Sequence, residues 1–179
     1  AILASRCIDR PIRPLFPKDL RNDCTVIATV MSVDPDCSPE VAAAIGVSTA
    51  IAISDIPWDG PISSVQVGLV DGEIVINPTL EQRTASDLKL TVSSTEDLVA
   101  MIEAGGNEIT EDVMFDAIMA AHEANKEVVK FINGIVAEIG KEKFTYESSN
   151  PDPAIMEEIE NWVVEDVKKA LDTDDKRIR

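Results

Sequence analysis

Residues that build disulfide, zinc and histidine-dependent sites are scarce in this sequence. It contains one histidine and three cysteines, Cys7, Cys24 and Cys37, with no CxxC pair. An odd cysteine count without paired spacing disfavours structural disulfides and zinc, so reduced core thiols are the expected state. Aromatic residues make up only 4% of the chain and hydrophobic residues 45%. Aliphatic side chains must therefore fill the core.

Long apolar runs are also missing. No stretch approaches the roughly 20 apolar residues that a membrane-spanning helix needs, and the apolar start of the chain is too short for a signal peptide. We therefore expect a cytoplasmic protein without a membrane partner. The chain does not begin with Met, and its first apolar residues have helical spacing without a preceding cap. An N-terminal portion is therefore expected to be absent.

Motifs for phosphate loops and metals are absent as well. The sequence has no GxGxxG, GxxxxGK[ST], HExxH or calcium-loop pattern. The single histidine, His122, lies in the middle of an apolar-periodic segment beside Glu123, and no nucleophile can be paired with it. A lone helical histidine is more often structural than catalytic. The residues thus predict neither a catalytic group nor a metal ligand in this chain.

Positive charge is concentrated in one short part of an acidic chain. The formal net charge is −17, which argues against a simple nucleic-acid-binding protein. Residues 1–33 contain five bases and three acids, for a net charge of +2, whereas the remainder contains 11 bases and 30 acids, for a net charge of −19. A polyanion would be repelled by most of this surface and would approach only near the N-terminal segment.

Periodicity in the first third of the chain predicts helix, loop, strand and helix in that order. Residues 2–9 predict a short helix, and the three prolines of segment 9–17 predict an extended loop. The β-branched, apolar segment 24–33 predicts a buried strand. A helix is predicted to begin after Ser38, with proline at its first position, and to run to about residue 54.

The remaining pattern predicts hairpins followed by two helices. Asp71-Gly72 is a strong hairpin signal, and Gly140 should end the longest helix. The last helix is expected to dock on that helix or to belong to a helical domain that is only partly present. The predicted elements are strands at 63–70, 74–76, 88–92 and 98–104, a short helical turn after Thr79, and helices at 110–139 and after 152. This order indicates an α+β layer fold with a helical extension.

Three arginines form the candidate binding site. Arg6, Arg10 and Arg13 lie close together in a proline-stiffened segment. Guanidinium groups stay charged and bind phosphates bidentately, so the three could follow an RNA backbone. The alternative is that they form ion pairs, for example with Asp9, or lie along the surface.

Four motifs, in order, resemble the polynucleotide phosphorylase family, specifically its first RNase PH-like domain. The order and the spacing together carry the resemblance, which covers residues 1 to about 140. The motifs are RCIDRPIRPLFP at 6–17, VDPD with Ser-Pro at 33–39, SDIPWDGP at 54–61 and GEIVINPT at 72–79. Residues 141–179 resemble the start of the family's all-α linker domain. The resemblance therefore divides the chain at 1–140 and 141–179.

The resemblance implies a function in RNA degradation and processing. The family degrades RNA from the 3′ end with inorganic phosphate, releasing nucleoside diphosphates, and its subunits form a homotrimeric ring around an RNA channel. Its second RNase PH-like domain carries the phosphate site and the magnesium-assisted chemistry. The first is a degenerate copy that guides RNA and builds the ring. The fragment alone is then expected to be inactive and to hold no magnesium, with Arg6, Arg10 and Arg13 contacting RNA. The alternative is a purely structural oligomerisation segment without RNA contact.

Two departures from the active pattern support this division. Where the active copy has a serine-rich phosphate turn, this chain has Ser38-Pro39-Glu40, which removes an N–H donor and adds a negative charge. A carboxylate ~4 Å from a phosphate costs about 4 kcal/mol near a protein surface. Where the active copy has an Asp-x-Asp metal pair, this chain has Asp87 followed by Lys89, which disfavours a divalent cation. An acidic pair of Asp87 with Glu81 is the weaker alternative.

Overall fold

A four-stranded antiparallel sheet carries helices on both of its faces. The computed structural model describes residues 2–173 and 175–177. The elements are α1 (Ile2–Ile12), a 3-10 helix (Arg13–Leu15), α2 (Pro39–Ile53), β1 (Ser63–Val70), β2 (Glu73–Ile76), α3 (Leu80–Ala85), β3 (Leu88–Ser94), β4 (Val99–Gly106), α4 (Glu111–Ile139) and α5 (Pro153–Leu171). The strand order is β2-β1-β3-β4. This arrangement confirms the predicted α+β fold class.

Successive side chains of each strand point to opposite faces of the sheet, so their burial shows which helices cover each face. Val65, Val67 and Leu90 are buried against the alanines of α4. The intervening residues, which include Ser64 and Gln66, face α1 and α2. Farther along α4, Ile132 packs with α2 in a second apolar cluster. The apolar stripe of α4 therefore packs against both the sheet and α2.

Three sequence predictions were wrong. The thiols were expected in the core, but Cys24 and Cys37 are exposed, since the segments that carry them do not pack against the sheet. The proline segment was also predicted wrongly. It is helical as far as Leu15, since α1 continues through Pro11 to Ile12 and the 3-10 helix follows. The φ angle of proline is compatible with a helix, although proline leaves the carbonyl four residues earlier without its usual partner. Pro11 and Ile12 are both buried. Their burial, together with a hydrogen bond from Trp58 to the Ile12 carbonyl, offsets that cost.

The remaining wrong prediction is the buried strand at 24–33. In the part of the chain that the structure describes, this segment belongs to neither a helix nor a sheet, and every residue in it is exposed. Ile27 is 83% exposed and Met31 89%. A strand exists only when a neighbour satisfies its backbone hydrogen bonds, and the four described strands pair among themselves. β-propensity alone therefore did not create a strand here.

The chain divides into two compact units. The first, which we call the sheet unit, comprises the described residues up to 18 and residues 22–146. The second comprises residues 19–21 and the described residues from 147 onward. Within the second unit, α5 begins after Asp152, whose side chain accepts a hydrogen bond from the Ala154 N–H. Most apolar side chains of α5 are exposed, with Trp162 at 81%, whereas Val163 is half-buried.

Candidate functional site

The three candidate arginines follow one another along the N-terminal helical segment. Arg6 and Arg10 lie on α1, four residues apart, and Arg13 begins the 3-10 helix three residues later. Spacings of four and three place neighbouring side chains on the same side of a helix. All three residues are exposed. The structure therefore presents them as a row of cations on a helical segment, where the sequence predicted a helix for Arg6 and a loop for Arg10 and Arg13.

Two of these arginines have acidic partners. Arg13 forms a two-pronged ion pair with Asp9, with distances of 2.6 Å from Nη2 and 3.2 Å from Nε to the carboxylate oxygens. Arg10 Nη1 lies 3.8 Å from Glu103 Oε2. Arg6 has no hydrogen-bond or ion-pair partner among the residues that the structure describes. Exposed ion pairs contribute only about 0–1 kcal/mol, so a phosphate can compete for both paired arginines.

Trp58 anchors the end of the arginine segment. Its indole Nε1–H donates to the Ile12 carbonyl at 3.0 Å, and the Asp59 N–H donates to the Leu15 carbonyl at 2.9 Å. The Trp58 and Phe16 rings also pack, with centroids 6.3 Å apart. Two motifs that are distant in sequence, at 6–17 and 54–61, thus meet in space. These two hydrogen bonds fix the position of the helical segment that carries the row of arginines.

The other two motifs also meet. The Asp36 carboxylate accepts a hydrogen bond at 2.9 Å from the Leu80 N–H at the start of α3. Arg83 donates to the Pro35 carbonyl and, at 2.8 Å, to the Pro78 carbonyl. Thr79 caps α3 through a reciprocal capping box with Gln82. The turn before α2 is therefore fastened to the turn after β2.

A cavity of about 370 Å³ lies between the sheet and helices α1 and α2. Four of its lining residues are Cys7, Glu40, Lys89 and Glu103. The Cys7 thiol donates to Glu103 Oε2 at 3.2 Å. Burial raises the pKa of Cys7, and the hydrogen bond to Glu103 raises it further, so the thiol stays protonated. Glu103 was not predicted, because its contacts with α1 span a large sequence separation and no local motif signals them.

At the start of α2, a carboxylate occupies the position where an anion would bind. Ser38 is the N-cap residue, as predicted, but its hydroxyl donates to Glu40 Oε2 at 2.7 Å and caps no backbone N–H. The Ser38 hydroxyl and then the backbone N–H of Glu40 lower the pKa of the Glu40 carboxyl, and the charge of Lys89 also lowers it. The helix start is thus already neutralised by a charge of the chain itself.

The residues near the expected metal position offer few ligands. The Asp87 carboxylate accepts a weak hydrogen bond from Asn107 Nδ2 at 3.4 Å. Lys89, on β3 two residues after Asp87, lines the cavity. Among the described residues, no group of three or more His, Cys, Asp or Glu side chains could hold a metal ion.

In the part of the chain that the structure describes, no helix combines the length and apolar content needed to cross a bilayer.

Two family models match consecutive parts of the chain. The model for domain 1 of the 3′ exoribonuclease family matches residues 1–57, and the model for domain 2 of that family matches residues 60–124. Together they cover about two-thirds of the chain. The boundary between them falls in the turn that carries Trp58.

Relatives extend the similarity over the whole chain. A polyribonucleotide nucleotidyltransferase of Lachnoclostridium phytofermentans is 58% identical over 100% of this chain. Another polyribonucleotide nucleotidyltransferase, from Ruminiclostridium cellulolyticum, is 54% identical, also over 100% of the chain. The chain spans only 26% of the length of each relative. It is therefore similar to about a quarter of the length of these proteins.

A solved structure supports the fold. The crystal structure of rice (Oryza sativa) Rrp46 superposes with a TM-score of 0.52 at 15% identity, covering 59% of this chain and 51% of the rice chain. At that identity the similarity concerns the fold alone. With two consecutive domain models and relatives above 50% identity over its full length, this chain belongs to the 3′ exoribonuclease family.

Proposed function

We propose that this chain is the RNA-guiding, non-catalytic RNase PH-like domain of a polyribonucleotide nucleotidyltransferase. In such an enzyme, RNA and inorganic phosphate would be converted into nucleoside diphosphates from the 3′ end. The names of relatives at 54% and 58% identity support the assignment. The cytoplasm, a homotrimeric assembly and magnesium in a second RNase PH-like domain belong to the same proposal.

The observation that carries the non-catalytic role is the Glu40 carboxylate at the start of α2. It accepts the Ser38 hydroxyl at 2.7 Å, in the region where a phosphate would need that hydroxyl as a donor. The lowered pKa of Glu40 keeps the carboxylate charged at neutral pH. An incoming phosphate would meet a fixed negative charge and an occupied hydroxyl. Phosphate-dependent release of nucleoside diphosphates by this chain alone would contradict the proposal.

The proposed RNA contact is the row formed by Arg6, Arg10 and Arg13. The row lies within residues 1–33, which carry a net charge of +2, and it is anchored through Trp58. Its guanidinium groups are exposed, and the only pairs they form in the described chain are solvent-accessible ones. Phosphates of a passing strand would replace those weak pairs at little cost.

The test uses a full-length polyribonucleotide nucleotidyltransferase that contains this chain. Arg6→Ala, Arg10→Ala and Arg13→Ala are combined, and RNA affinity is titrated at several salt concentrations. The slope of log K against log salt should become shallower by up to roughly 2, because each single-strand phosphate contact contributes about 0.7. A matched control replaces three exposed lysines of the acidic surface with Ala and should leave the slope unchanged. These lysines are Lys130, Lys168 and Lys169.

The competing proposal is a purely structural segment that supports oligomerisation. The ion pair between Arg13 and Asp9 and the contact of Arg10 with Glu103 favour it, because these arginines already have partners. Under this alternative, the triple variant would change the sedimentation of the assembly while RNA affinity per assembled ring stayed constant. Unchanged assembly together with an unchanged salt slope would exclude both roles for the arginines.

A further inference from the structure

Four serines form a compact block at the joint between β1 and β3. Ser63 lies opposite Ser94, and Ser64 lies opposite Ser93, in the antiparallel ladder. All four are buried, at 0–4% exposure. Because side chains alternate between the faces, Ser64 and Ser93 share one face while Ser63 and Ser94 share the other. On their face, the Ser64 and Ser93 hydroxyls hydrogen-bond to each other at 2.6 Å.

The second serine pair behaves differently. Ser63 and Ser94 follow Val65 and Val92 on the face that packs against α4. Their hydroxyls have no hydrogen-bond partner within the described chain, although the two residues are direct cross-strand neighbours. A buried hydroxyl without a partner has lost its hydrogen bonds to water without gaining replacements, which is unfavourable. Two of them side by side therefore require an explanation.

Asn125 supplies a third unpartnered atom at the same joint. This α4 residue is fully buried, and its Nδ2 donates to the Val92 carbonyl at 3.0 Å. That bond positions the amide over β3, two residues from Ser94. The remaining amide atom, Oδ1, is an acceptor without a partner among the described residues. Two hydroxyl groups of the sheet and one amide oxygen of α4 are thus unpartnered at neighbouring positions of this layer, among the residues that the structure describes.

We propose that one internal water molecule occupies this joint and bridges Ser63 Oγ, Ser94 Oγ and Asn125 Oδ1. The water would donate to Asn125 Oδ1 and to one serine oxygen, and it would accept from the hydroxyl of the other serine. Three hydrogen bonds are typical of a buried water, and proteins contain about one such water per 27 residues. The water would link α4 to the centre of the sheet, where Asn125 and Val92 already join the two layers.

His122 lies three residues before Asn125 on α4, and its Nδ1 is also buried without a partner in the described chain. Three hydrogen bonds are enough for one buried water, so the site does not require the imidazole. The site is distinct from the arginine row and from the cavity between the sheet and helices α1 and α2. The inference therefore does not depend on the proposed function.

A crystal structure of the chain at a resolution that shows ordered waters is the direct test. Density for a water within hydrogen-bond distance of Ser63 Oγ, Ser94 Oγ and Asn125 Oδ1 would support the proposal. Hydroxyls bonded to each other or to the backbone, with no water density between them, would overturn it.

A solution measurement uses magnetisation transfer from water to the Asn125 side-chain amide protons. The transfer should be present in the natural chain and lost when Ser63→Ala and Ser94→Ala are combined. The matched control combines Ser64→Ala with Ser93→Ala on the opposite face, where the hydroxyls satisfy each other, and should retain the transfer. A signal that persists unchanged without Ser63 and Ser94 would count against the site. If the first double variant does not fold, the crystal structure of the natural chain decides the question.

Discussion

At the scale of single residues, Trp58 joins the two motifs that hold the arginine segment. Replacing it in Trp58→Phe keeps a ring but removes the N–H that donates to the buried Ile12 carbonyl. We expect a loss of about 1–3 kcal/mol in the free energy of unfolding, because the carbonyl is left without its partner. Urea unfolding followed by circular dichroism measures this. Trp162→Phe, at a position 81% exposed, should change stability by less than about 0.5 kcal/mol. Equal losses in the two variants would contradict the anchoring role.

Glu40 makes a residue-scale prediction about pH. Its pKa is lowered chiefly by the Ser38 hydroxyl, so it is lower in the folded than in the unfolded chain. Such a carboxyl stabilises the fold above its unfolded pKa, and this stabilisation is lost as pH falls through its folded pKa. Ser38→Ala should raise the pKa of Glu40 toward its ordinary value in a carboxyl NMR titration. Ser149→Ala, in the other unit, should leave it unchanged. A Glu40 pKa unaffected by Ser38→Ala would show that the hydroxyl does not hold the carboxylate.

At the scale of elements, Lys143 fastens the segment after α4 to the end of α2. Its Nζ donates to the Ala52 carbonyl at 2.8 Å and the Ser54 carbonyl at 2.6 Å, and desolvation lowers its pKa. Lys143→Met keeps the length of the side chain but removes the donors, and it should cost about 1–2 kcal/mol in unfolding experiments. Lys141→Met alters a neighbouring exposed lysine and should cost little. If both variants are neutral, Lys143 does not cap α2.

Elements with local signals could be predicted, and elements that depend on partners could not. The N-cap position and proline start of α2 and the Asp71-Gly72 hairpin are local signals, and the structure confirms both. Pro11 was misread because the burial that offsets its helical cost comes from contacts with distant residues. Segment 24–33 was misread because β-propensity describes how a residue fits a sheet and does not supply a neighbouring strand.

At the scale of the whole molecule, the same distinction applies to the candidate site. The arginine row could be found in the sequence because charge and proximity along the chain are local properties. Its acidic neighbour Glu103 could not be predicted, because Cys7 and Arg10 contact Glu103 only through the packing of α1 against β4. Contacts of that separation arise from sheet topology, which no single motif encodes. The contacts of Trp58 with the Ile12 carbonyl and of Asp36 with the Leu80 N–H are likewise between residues that are distant in sequence.

The exposed segment 24–33 gives a prediction for the whole chain. If its apolar residues contribute nothing to the core, Ile27→Asn should change the free energy of unfolding by less than about 0.5 kcal/mol, since Ile27 is 83% exposed. Val67→Asn places an amide at a position 1% exposed in the sheet and should cost at least about 2 kcal/mol. Urea unfolding of both variants provides the comparison. A cost for Ile27→Asn as large as that for Val67→Asn would mean that the segment is buried in the folded chain. The strand that β-propensity predicted would then form in solution, and the edge strands β2 and β4 each have one side available for such a neighbour.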